Sequence, residues 1–412
     1  MAVPEVHCII GAGLAGGRAA TTLRELGFDG RVILIGDEAD PPYERPPLSK
    51  AYLLGQLPRP RLLLRPEAYY SEHDIELRLD TRVLEVRPQQ HLLGLEGGGD
   101  LRYDRLLIAT GSTARRLPVP GAGLAGVLTL TTVQDADHLR ARLGLHPRVV
   151  VVGAGFLGCE LAAAARSLGC EVHVVELGGA PLPTMGEEVG RFVVELHRQH
   201  GVSFYFGQAL AEFRGGGQVE EVVLDDGHRL ACDLAVVCVG AAPNSQLAQT
   251  AGLEMAGGIA VDSHCRSSDP AIFAAGDVAS FWHPGLRRRL RLEHWDSAHR
   301  QGTHAGRAML GRSGEYSPLP YFWSEQYGAM IQQVGLLDQG QQVVMRGSPG
   351  EGRFSTFHLS DGVVVACVAV NRFPDLAAAR RLIPARARVE PRLLADPLTD
   401  LKVLAAGLPS TD

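Results

Sequence analysis

Residues 6–38 read VHCIIGAGLAGGRAATTLRELGFDGRVILIGDE, and residues 149–176 read VVVVGAGFLGCELAAAARSLGCEVHVVE. Each stretch opens on a short apolar run, as a buried parallel strand does. Each passes through GAGxxG into an Ala/Leu-rich helix that a glycine, Gly27 or Gly169, brings to an end. Each closes on a second apolar run and an acid: Asp37 and Glu38 in the first copy, Glu176 in the second. This is the strand–helix–strand dinucleotide fingerprint, written twice. Gly11 and Gly153 permit the tight turn, Gly13 and Gly155 clear a side chain from the pyrophosphate, and Gly16 and Gly158 let helix and strand pack closely. Pyrophosphate is expected on the unpaired N–H groups at the helix start, with the closing acids on ribose hydroxyls. One GxGxxG alone is weak evidence; two, each between strand and helix and each ending in acid, are strong.

The rest of the composition suits that reading. The chain has 412 residues, 45% apolar and 21% charged, enough for two or three globular domains. A net charge of −6 argues against a broad nucleic-acid-binding face. Seven cysteines (8, 159, 170, 232, 238, 265 and 367) include no CxxC or CxxxxC pair. That argues against a disulfide scaffold or a thiol redox motif and suits a reducing compartment. The opening MAVPEVH lacks the regions of a signal peptide. No apolar run approaches the ~20 residues of a membrane span. A soluble, cytoplasmic protein without membrane association is expected. The histidines show no ligand spacing, so no metal site is expected.

Two further strand ends carry polar groups: Asp104–Gly111, DRLLIATG, and Ile272–Asp277, IFAAGD. With them the chain resembles the two-dinucleotide-fold flavoprotein reductases. The implied fold class is α/β, with two Rossmann-like, glutathione-reductase-like dinucleotide domains and an α+β C-terminal domain. The resemblance implies an FAD domain over 1–115 and 245–318, an NAD domain over 116–244 and a C-terminal domain over 319–412. It assigns Gly11, Gly13, Leu14, Ala15, Gly16, Asp37, Glu38, Ala109, Thr110, Gly111, Gly276 and Asp277 to FAD. To NAD it assigns Gly153, Gly155, Phe156, Leu157, Gly158, Glu176 and Gly240. NADH is favoured over NADPH, because Glu176 would repel a 2′-phosphate and LGGAPLPTMGEE after it holds no Lys or Arg.

Only two lysines occur, Lys50 and Lys402, and Lys50 ends the proline-rich DPPYERPPLSK of residues 40–50. That string is similar to the same segment in the NADH-dependent ferredoxin reductases of bacterial oxygenase systems. Further matches are TRV at 81–83, GHRLACDLAVVCVGAAPN at 227–244, RSSDP at 266–270, LEHWDSAHRQG at 292–302, YFWSEQY at 321–327 and NRFPDL at 371–376. The resemblance implies that Lys50 lies by the flavin and pairs with Glu160. It also implies that Arg45, Val83 and Trp295 approach FAD, that Trp295 starts a helix aimed at it, and that Trp323 lines its mouth. Thr131 stands where relatives carry an arginine.

Hydride from NADH would reach FAD, and electrons would leave singly for a [2Fe–2S] ferredoxin, an acidic protein serving an oxygenase. Residues 321–370 alternate apolar and polar, as an antiparallel sheet does, before helical segments near 374–382 and 397–406. The Arg287–Arg291 run and Lys402 are docking candidates, and a monomer or a homodimer is compatible with the family. Two alternatives are a type II NADH:quinone oxidoreductase, which needs a basic amphipathic membrane helix, and a nucleotide-sensing flavoprotein of the apoptosis-inducing-factor type.

Overall fold

The computed structural model describes residues 4–406. They divide into two compact units. One comprises the chain up to Pro46, Leu57–Thr113 and Ala241–Pro318; the other comprises Pro47–Gln56, Ala114–Gly240 and the chain from Leu319.

Valine- and isoleucine-rich runs form the central strands because both faces are covered and mostly apolar side chains fill them. In the first unit the five-stranded sheet runs Ile272–Ala274, Arg105–Ile108, Val6–Ile10, Arg31–Ile35, Ile75–Arg78, every pair parallel. In the second it runs Val127–Leu128, Leu234–Val237, Arg148–Val152, Glu171–Glu176, Ser203–Phe206, again all parallel. Both sheets insert a three-stranded antiparallel meander, over residues 83–102 between Ile75–Arg78 and Arg105–Ile108, and over residues 210–231 between Ser203–Phe206 and Leu234–Val237. The repeat therefore extends well past the fingerprints, to about residues 6–108 and 148–237.

A pair of arginines shows how far the likeness goes. Arg24 and Arg166 each stand thirteen residues after the first motif glycine. Arg24 donates to the carbonyls of Phe28 (2.5 Å) and His73 (3.0 Å), and Arg166 to those of Cys170 (2.8 Å) and His200 (2.6 Å). His73 and His200 each follow the helix before the third strand, and each bonds through Nδ1 to the carbonyl four residues back. A planar guanidinium satisfies several helix-end carbonyls at once, which neither water nor a lysine does as rigidly.

In the first unit the fingerprint helix Leu14–Glu25 packs on the long helix Trp295–Met309 with almost nothing between the backbones. A Cβ on Gly302 would lie 2.3 Å from the Ala15 carbonyl oxygen, and one on Gly306 would lie 2.9 Å from that of Ala19.

The second unit also holds the C-terminal sheet, antiparallel in the order Tyr321–Gln326, Ala329–Gly335, Val363–Val370, Arg353–Ser360, Gln342–Ser348. Helices Phe373–Leu382, Pro391–Ala395 and Leu401–Ala405 cover it. Buried Arg346 ties this tail down, pairing with Asp375 at 3.2 Å and donating to the carbonyls of Leu394, Pro397 and Thr399. The changeovers between units fall at Thr113/Ala114 and Gly240/Ala241, a few residues before the 115 and 244 read from the sequence. Pro47–Gln56 belongs to the second unit because its polar side chains find partners there, among them Tyr52, whose hydroxyl donates to Asp137 at 2.5 Å.

Two tests address this packing. Gly302→Ala forces a methyl against backbone that cannot yield, so unfolding should become easier by about 1–3 kcal/mol, read by denaturant titration. Burial holds His197, His294, His304 and His358 at about 4. The unfolded chain takes up protons near 6.5 that the native histidines refuse. Their contribution to stability is thus lost progressively as pH falls from about 6.5 towards 4. The melting temperature should drop over that window, and the drop should be smaller in His304→Gln.

Candidate functional site: two glycine cradles and a buried ion pair

The tight turns are built as the glycines require. Gly11 and Gly153 sit at φ +105° and +102°, and a Cβ there would lie 2.2 Å and 2.4 Å from the carbonyl oxygens of Ala109 and Cys238. At Gly16 and Gly158 a Cβ would lie 1.9 Å from the carbonyl oxygens of Gly11 and Gly153. Gly13 and Gly155 differ: nothing stands within 4 Å of a Cβ at either. Each is the N-cap of a twelve-residue helix and no side chain caps it. The first-turn N–H groups therefore face open space at the positive end of a helix, which fits a pyrophosphate in each cradle.

The acids are less alike than the sequence suggests. Gly11 N–H donates to Ile35 O, and Gly153 N–H to Val175 O. By that register the partner of Glu176 in the first copy is Gly36, and Asp37 lies one residue further on. Glu176 is pinned beside its cradle, accepting from the N–H groups of Ala154 (2.6 Å) and Gly178 (2.7 Å). Asp37 is exposed with Arg82 at 3.5 Å. Glu38 accepts from Tyr43 Oη (2.6 Å) and Arg45 (2.7 Å).

Leu14, Ala15, Val83, Ala109, Thr110, Gly111, Gly276, Asp277 and Trp295 all belong to the first unit. Asn244 clamps the ATG turn, accepting from Thr110 Oγ1 through its carbonyl (2.8 Å) and donating to Thr110 O through Nδ2 (2.9 Å). Burial pushes the Asp277 carboxyl above its usual range, although Ser112 donates to it at 2.8 Å. Trp295 is the first residue of the long helix, and its indole donates to Glu44, whose carboxyl is also raised by burial.

Phe156, Leu157, Glu160, Gly240, Trp323 and Lys50 all belong to the second unit. Glu160 is only 7% exposed. Its Oε2 accepts from Lys50 Nζ at 2.5 Å and from Ser49 Oγ at 2.6 Å, and its Oε1 from Ser324 Oγ at 2.7 Å. Phe156 at the helix start meets Phe322 with ring centroids 3.9 Å apart. Gly240, at φ +92°, accepts from Arg115 N–H at 2.9 Å.

Sequence reasoning missed Asn244, Glu44, Ser49 and Ser324. Ser49 was within reach, as the residue before Lys50; Ser324 could be flagged by alternation in YFWSEQ. Thr131, where the resemblance implies an arginine, donates its N–H to Asp135, the N3 residue of the capping box of Val133–Leu143. Of the arginine run, Arg289 donates to the carbonyls of Val261 and Ser280, and Arg291 to Asp277 O and Glu293. These two brace their own hairpin.

Two open cradles on duplicated sheets define a protein that handles two dinucleotides. The chain belongs to the pyridine nucleotide-disulphide oxidoreductase family, whose model matches residues 6–302, and a reductase C-terminal model matches residues 321–405. It is 42% identical over 401 residues to the anthranilate 1,2-dioxygenase system ferredoxin–NAD(+) reductase component of Burkholderia cepacia, covering 96% of this chain and 98% of that one. The ferredoxin reductase for the CYP199A2 system of Rhodopseudomonas palustris superposes with a TM-score of 0.94 at 38% identity, over 97% and 100% of the two chains. Putidaredoxin reductase, solved as a covalent complex with putidaredoxin, gives 0.94 at 34% identity, over 98% and 99%.

The disulfide of the family's description has no counterpart among the described residues. All seven cysteines are free thiols and six are fully buried. Burial pushes Cys8, Cys232 and Cys238 up to about 12, and Cys159, Cys265 and Cys367 also upward. A thiolate is the reactive form, so such thiols are inert. The folded protein should therefore show no fast-reacting thiol with a chromogenic disulfide reagent, and its turnover should survive prior alkylation.

Proposed function

We propose that the chain is an FAD-dependent NADH:ferredoxin oxidoreductase that supplies electrons to an oxygenase. The observation that carries this reading is the pair of open cradles in a chain with no reactive thiol: electrons that enter have no internal sulfur to rest on and must leave for an outside carrier.

FAD and NAD(H) are its cofactors. Bound FAD supplies the chemistry that a polypeptide lacks, two-electron uptake from a nicotinamide followed by one-electron release. The protein binds and orients. In this reading the first cradle, with Asp37, Glu38, Arg45, Val83, the Ala109–Gly111 turn, Gly276, Asp277 and Trp295, holds FAD. The second, with Phe156, Leu157, Glu176 and Gly240, holds NADH. Glu176, fixed by two backbone N–H groups, keeps a carboxylate where an adenosine 2′-phosphate would have to sit. Lys50 presents a compact positive charge that favours charge build-up on the flavin, Glu160 sets its direction, and Trp323 borders the exit.

The acceptor in this reading is an acidic [2Fe–2S] ferredoxin, met in the cytoplasm by a monomer or homodimer. Lys402, exposed at the start of the last helix, is the better docking candidate now that part of the arginine run is spoken for. Among the described residues no helix is long and apolar enough to cross a membrane.

Purified protein should reduce at least one member of a panel of [2Fe–2S] ferredoxins with NADH, at a rate that falls with salt. Failure on every ferredoxin alongside good quinone or disulfide turnover would overturn the reading. Glu176→Gln should lower the NADH-over-NADPH preference in kcat/KM about 10-fold. Lys50→Met should keep its FAD and slow flavin bleaching by NADH; unchanged kinetics would remove the role given to Lys50.

A further inference from the structure

The buried polar groups do not stop at Glu160. Ser324 Oγ, which donates to Glu160 Oε1, accepts from Gln326 Nε2 at 3.1 Å. Gln326 Oε1 lies 2.9 Å from His197 Nε2. Ser324 and His197 are 0% exposed and Gln326 1%. Four elements contribute: the proline-rich segment, the second fingerprint helix, the edge strand Tyr321–Gln326 and the helix Glu187–Gln199.

We propose that Ser324, Gln326 and His197 are positioning residues that hold the Glu160 carboxylate, and through it the Lys50 ammonium, in one orientation.

The donors can run in only one direction. An ionised carboxylate accepts and does not donate, so the single Ser324 proton goes to Glu160. Ser324 oxygen then takes a proton from the Gln326 amide. This fixes the amide's orientation and leaves its oxygen to accept. His197 must therefore carry its proton on Nε2, and burial, which lowers its pKa to about 4, keeps it a neutral imidazole. His197 Nδ1 is buried and has no partner. The ring thus accepts an unsatisfied nitrogen in order to present Nε2–H to Gln326. An apolar set of similar volume would fill the same space without desolvating a hydroxyl, an amide and an imidazole. What the polar set adds is direction. With Ser49 and Lys50 on Oε2 and Ser324 on Oε1, the carboxylate cannot rotate without breaking a bond on each side. Alternation along YFWSEQ makes this possible, because Ser324 and Gln326 share one face of the strand and Trp323 lies on the other.

The catalytic part of this inference rests on the role proposed above for Lys50; the positioning part does not. The scarcity of lysine supplies a direct probe. In a Lys402→Arg background, protein labelled with [ζ-15N]lysine and loaded with FAD gives one side-chain ammonium resonance, that of Lys50. Ser324→Ala and Gln326→Leu should move that resonance towards the free-lysine position and speed its hydrogen exchange about 10-fold, whereas Ser324→Thr should leave it in place. In parallel, Ser324→Ala should lower kcat for flavin bleaching by NADH about 10-fold, with KM changed less than twofold. A Lys50 resonance unmoved by both Ser324→Ala and His197→Leu in protein with native circular dichroism would overturn the proposal. So would Ser324→Thr behaving as Ser324→Ala does. A moved resonance with unchanged bleaching supports the positioning chain and sinks the role proposed for Lys50.

Discussion

A hydrogen atom where other residues carry a methyl decides most of this structure. At Gly16 and Gly158 the fingerprint helix crosses its own strand-to-helix turn so closely that any Cβ would overlap a carbonyl oxygen. That contact sets how each helix rises from its sheet. The rise in turn leaves an uncapped helix start over empty space at Gly13 and Gly155, where an anion is the natural occupant. It also sets the height and rotation of every later residue on the helix. Glu160 stands where it does because Gly158, two residues earlier, cannot be anything larger.

A carboxylate at that depth needs partners, since taking an unpaired charge out of water costs several kcal/mol. The partners come from far along the chain: Ser49 and Lys50 from a segment whose prolines limit the conformations it must give up on folding, and Ser324 from the C-terminal sheet. Electrostatic demand at one helical position thus explains why Pro47–Gln56 leaves its neighbours in sequence for the second unit.

What was legible in the sequence was local. The fingerprints announce themselves because strand, turn and helix each constrain residues a few positions apart, and the Lys50–Glu160 pair came through resemblance to a family. The remainder depends on pairings that no short window contains. Arg24 and Arg166 look like any helix arginine until their carbonyl partners are seen. The one-residue offset between Asp37 and Glu176 is invisible without the register, because Gly36 sits silently in the place of an acid. Asn244 meets Thr110 across 134 residues, and His197 meets Gln326 across 129. The apolar period along the helix Glu187–Gln199 marks His197 only as an inward position.

The first unit is also not continuous along the chain. Its sheet is completed by Ile272–Ala274, beside a strand that ends at Ile108, and its fingerprint helix gains its closest neighbour only from Trp295–Met309. The second nucleotide sheet is finished once Val237 has been made. On a ribosome, which exposes the chain from its N-terminus, the second nucleotide sheet can close while the first still waits for a fifth strand and a covering helix. For the two nucleotide sheets, order of completion is therefore the reverse of order of synthesis: the sheet begun first is finished last.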